Sequence, residues 1–150
     1  MFLYSLIIIG AVIFFDQIIK IRVVEKIMPY ESIEVLKNFL YITYVENTGI
    51  SFGLFKGFRW VFIILTFIVC LILFYYVFKL YKRHIAMTVC LAFIIGGAIG
   101  NLIDRIRLGY VIDYIHFIFF PPVFNLADSA IVCGAIVLCG LLLFNKNISL

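Results

Sequence analysis

Charged residues make up only 13% of the 150 residues, against 66% hydrophobic ones. A soluble domain of this length has no core large enough to hide that excess, so the scarcity of charge excludes water as the main solvent and leaves lipid. Histidine is scarcer still: His84 stands in a basic stretch and His116 among apolar neighbours, each alone. Neither serves as a base for Ser51 or Ser129, which excludes the usual serine-hydrolase arrangement. The four cysteines, Cys70, Cys90, Cys133 and Cys139, lie inside apolar runs without the paired spacing of a disulfide framework or a zinc site. No metal or other cofactor is expected. The net charge of +4 comes from residues at helix ends and in connections, as is ordinary for a chain facing lipid headgroups, and no nucleic-acid partner is read from it. Internal repeats and low-complexity tracts are absent. So are a basic leader and a small-residue cleavage pattern, and the first apolar run is expected to be a retained helix.

What the chain has is four apolar runs, at residues 2–24, 60–78, 85–105 and 126–144. At roughly 20 apolar residues per crossing, they predict an all-α membrane protein with four transmembrane helices in one domain, residues 1–150. Four crossings put both termini on one side of the membrane. They also put the first and third connections together on the other side, opposite a tight basic turn around Lys79, Lys82, Arg83 and His84. The first connection holds Glu25, Glu31, Glu34 and Glu46 and a strand-like stretch at residues 39–45, so a small β-rich platform is expected between helices 1 and 2. The third, from Arg107 to Asn125, reads as a link stiffened by Pro121-Pro122. Charge does not orient the molecule, because the basic turn is dense but the opposite side carries more basic residues in total.

All four aspartates sit in or beside the apolar runs. An ionised carboxylate at the middle of a spanning helix costs about 2.5–3.5 kcal/mol, so each needs a reason. Asp16 has Lys20 one turn later on the same face, a pairing that neutralises it. In the third run Gly97, Asn101, Asp104 and Arg105 share a helix face, and Gly96 and Gly100 permit close approach of a neighbour. An amide, a carboxylate and a guanidinium at the end of one face predict a polar cavity there. Asn125 and Asp128 have the spacing of a helix cap. Asp113 lies one short loop upstream with no basic residue adjacent, so two carboxylates converge at one rim. Close carboxylates share a proton: the ionised one takes a proton from water while the protonated one polarises a carbonyl, which hydrolyses a peptide without metal or covalent intermediate. Two rival readings use the same residues, a small proton- or cation-coupled carrier and a scaffold in which the aspartates are only structural pairs and caps. The carrier predicts titrating groups near mid-bilayer, and the scaffold leaves Asp113 unexplained.

Five segments in order complete the reading: Asp16-Gln-Ile-Ile-Lys20, Asn47-Thr-Gly-Ile-Ser-Phe-Gly53, Gly96-Gly-Ala-Ile-Gly-Asn-Leu-Ile-Asp-Arg105, Val111-Ile-Asp-Tyr-Ile115 and Phe124-Asn-Leu-Ala-Asp128. With them the chain resembles, nearly end to end, the bacterial lipoprotein signal peptidases, the signal peptidase II family of aspartyl peptidases. That resemblance implies a catalytic dyad of Asp113 and Asp128 that cleaves a diacylglyceryl-modified prolipoprotein just before its lipid-bearing cysteine. It implies substrate contacts from Asn47, Gly49, Asn101, Arg105 and Asn125, and structural support from Asp16, Lys20, Gly97, Gly100 and Asp104. It further implies the bacterial cytoplasmic membrane, both termini cytoplasmic, an extracytoplasmic site, and a first connection serving as cradle and mobile cover. Ser51 stands where alanine is frequent in the family.

Overall fold

The structure is a computed structural model that describes residues 2–28, 32–49 and 59–144. Four helices carry the apolar runs: α1 (Phe2–Lys26), α2 (Arg59–Leu80), α3 (Ile85–Arg107) and α4 (Leu126–Phe144). Each is long and apolar enough to cross a membrane. α3 is the hub, with 56% of its most hydrophobic window buried against 11–22% in the other three. The sequence explains this position, since α3 alone combines apolar residues with three closely spaced glycines and polar groups that need partners. Ile95 and Ala92, both fully buried, meet Ile9 of α1 and Val77 and Leu80 of α2. Large apolar side chains elsewhere, such as Phe14, Trp60, Leu71 and Ile136, face outward, as lipid solvent requires.

Two of the glycines set how closely the helices approach. A Cβ at Gly97 would collide with the Ala127 carbonyl of α4, and one at Gly100 would lie 2.6 Å from Asp16 Oδ2 of α1. Any side chain there would hold apart the three helices that bear the aspartates.

The helices are joined at one end by a four-stranded antiparallel sheet of order β1 (Ser32–Leu36), β2 (Leu40–Asn47), β3 (Val111–Phe117) and β4 (Phe120–Phe124). The strand expected at residues 39–45 is present as β2. The sheet is not confined to the connection between helices 1 and 2, however, because two of its strands come from the segment read as a plain link before α4. Pro121 and Pro122 are accommodated because β4 is an edge strand, where a missing N–H costs no ladder bond on the open side. Glu25, expected in the connection, belongs to the last turns of α1 and pairs with Arg22 at 2.9 Å on the surface. The chain leaves α3 through Gly109, whose φ of +89° favours glycine, and enters β3 two residues later.

β3 seats the sheet on the helices. Ile112 and Tyr114 point to one face and pack with Val23 of α1. Strand alternation therefore turns Asp113 to the opposite face.

Candidate active site

Asp113 and Asp128 reach the same place from different elements, Asp113 from the middle of β3 and Asp128 from the first turn of α4. Asn125 joins them. Its Nδ2 donates to Asp113 Oδ1 at 2.7 Å, and its Oδ1 accepts the Asp128 N–H at 2.8 Å. Asn47 of β2 donates to the other oxygen of Asp113 at 2.8 Å, and Asn101 of α3 donates to Asp128 Oδ1 at 2.7 Å. Each amide has its orientation fixed by a partner that can only donate. The Gly49 N–H bonds Asn47 Oδ1 at 3.0 Å, Lys20 Nζ bonds Asn101 Oδ1 at 3.0 Å, and the Asp128 N–H bonds Asn125 Oδ1. All three asparagines consequently present NH2 groups to the carboxylates.

Asp113 is 2% exposed, whereas Asp128 is half-buried. Burial raises the Asp113 carboxyl from its ordinary 3.8 to about 7, and the charge of Asp128 adds to the rise; the Asn47 and Asn125 donors and Lys20 oppose it. The Tyr114 hydroxyl is also pushed upward by burial, and it accepts the Leu126 N–H at 3.1 Å, steadying the start of α4.

Both aspartates open onto a cleft of about 640 Å³. Its polar end holds the dyad with Asn47, Gly49 and Arg105, while Phe120, Pro122, Ile131 and Val132 among others make an apolar wall. Arg105 reaches the Gly49 carbonyl at 3.4 Å and the Asn101 carbonyl at 3.5 Å, both long bonds, and lies over the Phe62 ring at 5.6 Å. Its guanidinium is left with donors for an incoming carbonyl. Such a chamber suits an extended peptide that carries a large apolar group.

Behind the dyad lies a second polar cluster. Lys20 bonds Asp16 at 2.9 Å, as its spacing predicts, and also Asp104 at 2.7 Å. Gln17 adds bonds to Asp104 at 2.9 Å and to Asp16 at 3.2 Å. Backbone N–H groups complete the set, Ala127 to Asp16 at 3.1 Å and Ile112 to Asp104 at 3.3 Å. Asp104 does not pair with Arg105, its sequence neighbour. Gln17 and Tyr114 have roles that were not expected from the sequence, although an amide beside Asp16 inside an apolar helix is a signal for Gln17. Of the sequence-predicted residues, the structure gathers Asp113, Asp128, Asn47, Gly49, Asn101, Arg105 and Asn125 at the cleft, and puts Asp16, Lys20 and Asp104 behind it with Gly97 and Gly100 at the helix contacts. Ser51 and the rest of residues 50–58, part of the first connection that was expected to serve as cradle and mobile cover, lie outside the described residues.

A family model described as signal peptidase (SPase) II matches residues 8–144. The chain is 46% identical over 144 residues to a lipoprotein signal peptidase of Caldanaerobacter subterraneus subsp. tengcongensis, covering 96% of this chain and 99% of that protein. It is 43% identical over 146 residues to a lipoprotein signal peptidase of Clostridioides difficile, covering 97% of each. Among solved structures, one described as a bacterial membrane enzyme obtained by the in meso method superposes with a TM-score of 0.87 at 34% identity, over 97% of this chain and 92% of that one.

Proposed function

The chain belongs to the signal peptidase II family of membrane aspartic peptidases, and from that membership we propose that Asp113 and Asp128 are its catalytic dyad. The substrate is a prolipoprotein whose cysteine already carries diacylglyceryl, and the bond cut is the peptide bond on the N-terminal side of that cysteine. A single observation carries the reading: one asparagine, Asn125, bonds both carboxylates, Asp113 through its side-chain NH2 and Asp128 through its backbone N–H, at the polar end of a cleft whose remaining wall is apolar. The scissile bond needs the first surface and the acyl chains need the second.

In this mechanism a water lies between the carboxylates. The ionised aspartate takes its proton as the oxygen attacks the scissile carbonyl carbon, and the protonated aspartate donates to the carbonyl oxygen. The resulting diol collapses when the amide nitrogen receives a proton from the aspartate that took it, and its hydroxyl returns a proton to the other. The C–N bond breaks, the signal peptide leaves as an acid, and the lipid-bearing cysteine leaves as a free amine. Arg105 and Gly49 hold carbonyls of the extended substrate, which need partners away from water. Asn47, Asn101 and Asn125 act on the dyad itself, since their NH2 groups point at its oxygens.

Residues 1–150 act as one peptidase domain in this proposal. The sheet and dyad face away from the cytoplasm, both termini lie in it, and the substrate enters laterally from the bilayer so that its acyl chains stay in lipid. A coupled carrier has no comparable support, because the carboxylates gather at the sheet end of the bundle rather than at mid-span.

Asp113→Asn and Asp128→Asn, made separately and shown to insert, are expected to lose roughly 10²–10⁴-fold of the cleavage of a diacylglyceryl-modified precursor. Retained cleavage by either variant sinks the dyad. A chelator is expected to leave the wild-type rate unchanged, since no step calls on a metal.

A further inference from the structure

Each of the dyad's carboxylates accepts two N–H bonds, Asp113 from two side-chain amides and Asp128 from one side-chain amide and the Asn125 backbone N–H, but the amides have unequal backing. For Asp113, the amides of Asn47 and Asn125 have oxygens held by neutral backbone N–H groups, those of Gly49 and Asp128. For Asp128, the Asn101 amide has its oxygen held by the Lys20 ammonium at 3.0 Å, with Asn125 Nδ2 at 3.1 Å on the same atom. A positive charge behind an amide oxygen polarises the amide and makes its N–H a stronger donor, most of all where water is excluded. Lys20 is 2% exposed and Asn101 6% exposed, so nothing screens this relay. Lys20 also neutralises Asp16 and Asp104, each of which receives a Gln17 N–H and a backbone N–H besides.

We propose that Lys20, acting through Asn101, fixes the shared proton on Asp113 and leaves Asp128 as the base that deprotonates the attacking water. The inference rests on the dyad reading and makes Lys20 a positioning residue at one amide's remove from the reacting atoms. The charged and titratable groups facing the pair are Asp16 and Lys20 from α1, Asp104 and Arg105 from α3, and Tyr114 from β3. Arg105 lines the cleft beside both aspartates and bonds neither, so it supplies no comparable preference.

The test is the pH profile of kcat/KM for the full-length enzyme cleaving a diacylglyceryl-modified peptide. Lys20→Gln with Asp104→Asn removes one charge of each sign and so preserves the net charge of the cluster. In that double variant the acid limb is expected to move up by roughly half a unit or more, with kcat falling further than KM changes. Lys20→Arg is expected to keep the limb near its wild-type position. A merely structural Lys20 predicts lower yield with an unmoved limb, and an unmoved limb overturns the proposal. A second measurement does not depend on these variants folding: the protonated-carboxyl stretch in the infrared spectrum at about pH 6. It is expected to vanish in Asp113→Asn and persist in Asp128→Asn, and the reverse pattern overturns the assignment. If instead either single variant still cleaves substrate, the dyad reading itself has failed.

Discussion

Asn125 and Asp128 bond each other in both directions: Asn125 Oδ1 accepts the Asp128 N–H at 2.8 Å, and Asp128 Oδ2 accepts the Asn125 N–H at 3.2 Å. That is a reciprocal helix cap. It is also the contact that aims Asn125 Nδ2 at Asp113. Capping and site geometry, which compete as explanations when only the spacing is known, are one arrangement here. The cap fixes the carboxylate on α4, and the spare end of the capping side chain reaches across to β3.

The two roles separate by substitution. Asn125→Ser keeps an oxygen for the Asp128 N–H and deletes the donor to Asp113, so its thermal unfolding is expected to stay near wild type while cleavage falls roughly 10²-fold. Asn125→Ala loses both contacts and is expected to cost about 1 kcal/mol of stability in addition. Unfolding curves in detergent, paired with cleavage rates, distinguish them. Equal loss of stability in the two variants counts against this division.

Glycine substitutions test the helix contacts. Gly97→Ala drives a Cβ into the Ala127 carbonyl, where backbone must yield, and overpacking of that kind costs roughly 1–3 kcal/mol. Because Ala127 precedes Asp128, cleavage is expected to fall with stability. Gly10 and Gly140 have nothing within 4 Å of the added carbon, so alanine there is expected to be neutral or stabilising by up to about 1 kcal/mol. Unfolding temperatures of the three variants side by side check the contrast.

The buried cluster makes a third prediction. Lys20→Met leaves Asp16 and Asp104 buried without their cation, and breaking a buried ion pair from one side costs roughly 3–5 kcal/mol. Adding Asp104→Asn to Lys20→Met is expected to recover part of that loss, because one uncompensated charge is then gone. Denaturant or thermal unfolding of the single and double variants decides it; a double variant no more stable than the single one would show that Asp104 does not feel Lys20.

How much of this was legible in the sequence depended on how local each signal was. The helices were plain from apolar runs, and their ends fell within two residues of the expected bounds because charged residues punctuate the runs. Asp16 and Lys20 could be paired at one-turn spacing, but Asp104 is 84 positions from Lys20, and no periodicity joins them. β3 and β4 were missed because Pro121-Pro122 argues against a strand unless it is known to lie at an edge, and edge position belongs to the folded sheet. Val111, Asp113 and Ile115 do alternate with Ile112 and Tyr114, with β-branched and aromatic residues prominent, and that signal was available. The convergence of Asp113 and Asp128 was readable from their closeness in the chain. The direction of the three asparagine amides was not, since it depends on Lys20 and two backbone N–H groups brought together only by folding.

The last prediction follows from the raised Asp113 carboxyl, about 7 in the fold against an ordinary 3.8. The folded protein holds this proton more tightly than the unfolded chain does. Below the ordinary value both states are protonated, and the group leaves stability unchanged with pH. Between the two values the unfolded chain has released the proton and the folded one has not, so stability falls as pH rises, at up to about 1.4 kcal/mol per unit, until the folded carboxyl also ionises. Wild-type protein is therefore expected to lose stability between about pH 5 and 7 by a slope that Asp113→Asn lacks. Unfolding temperatures of both proteins across that range provide the check, and parallel slopes would show that Asp113 is not held protonated by its surroundings. The same proton sets activity. Once Asp113 ionises the dyad has nothing to polarise the scissile carbonyl, so the basic limb of kcat/KM is expected near the pH at which the stability slope ends.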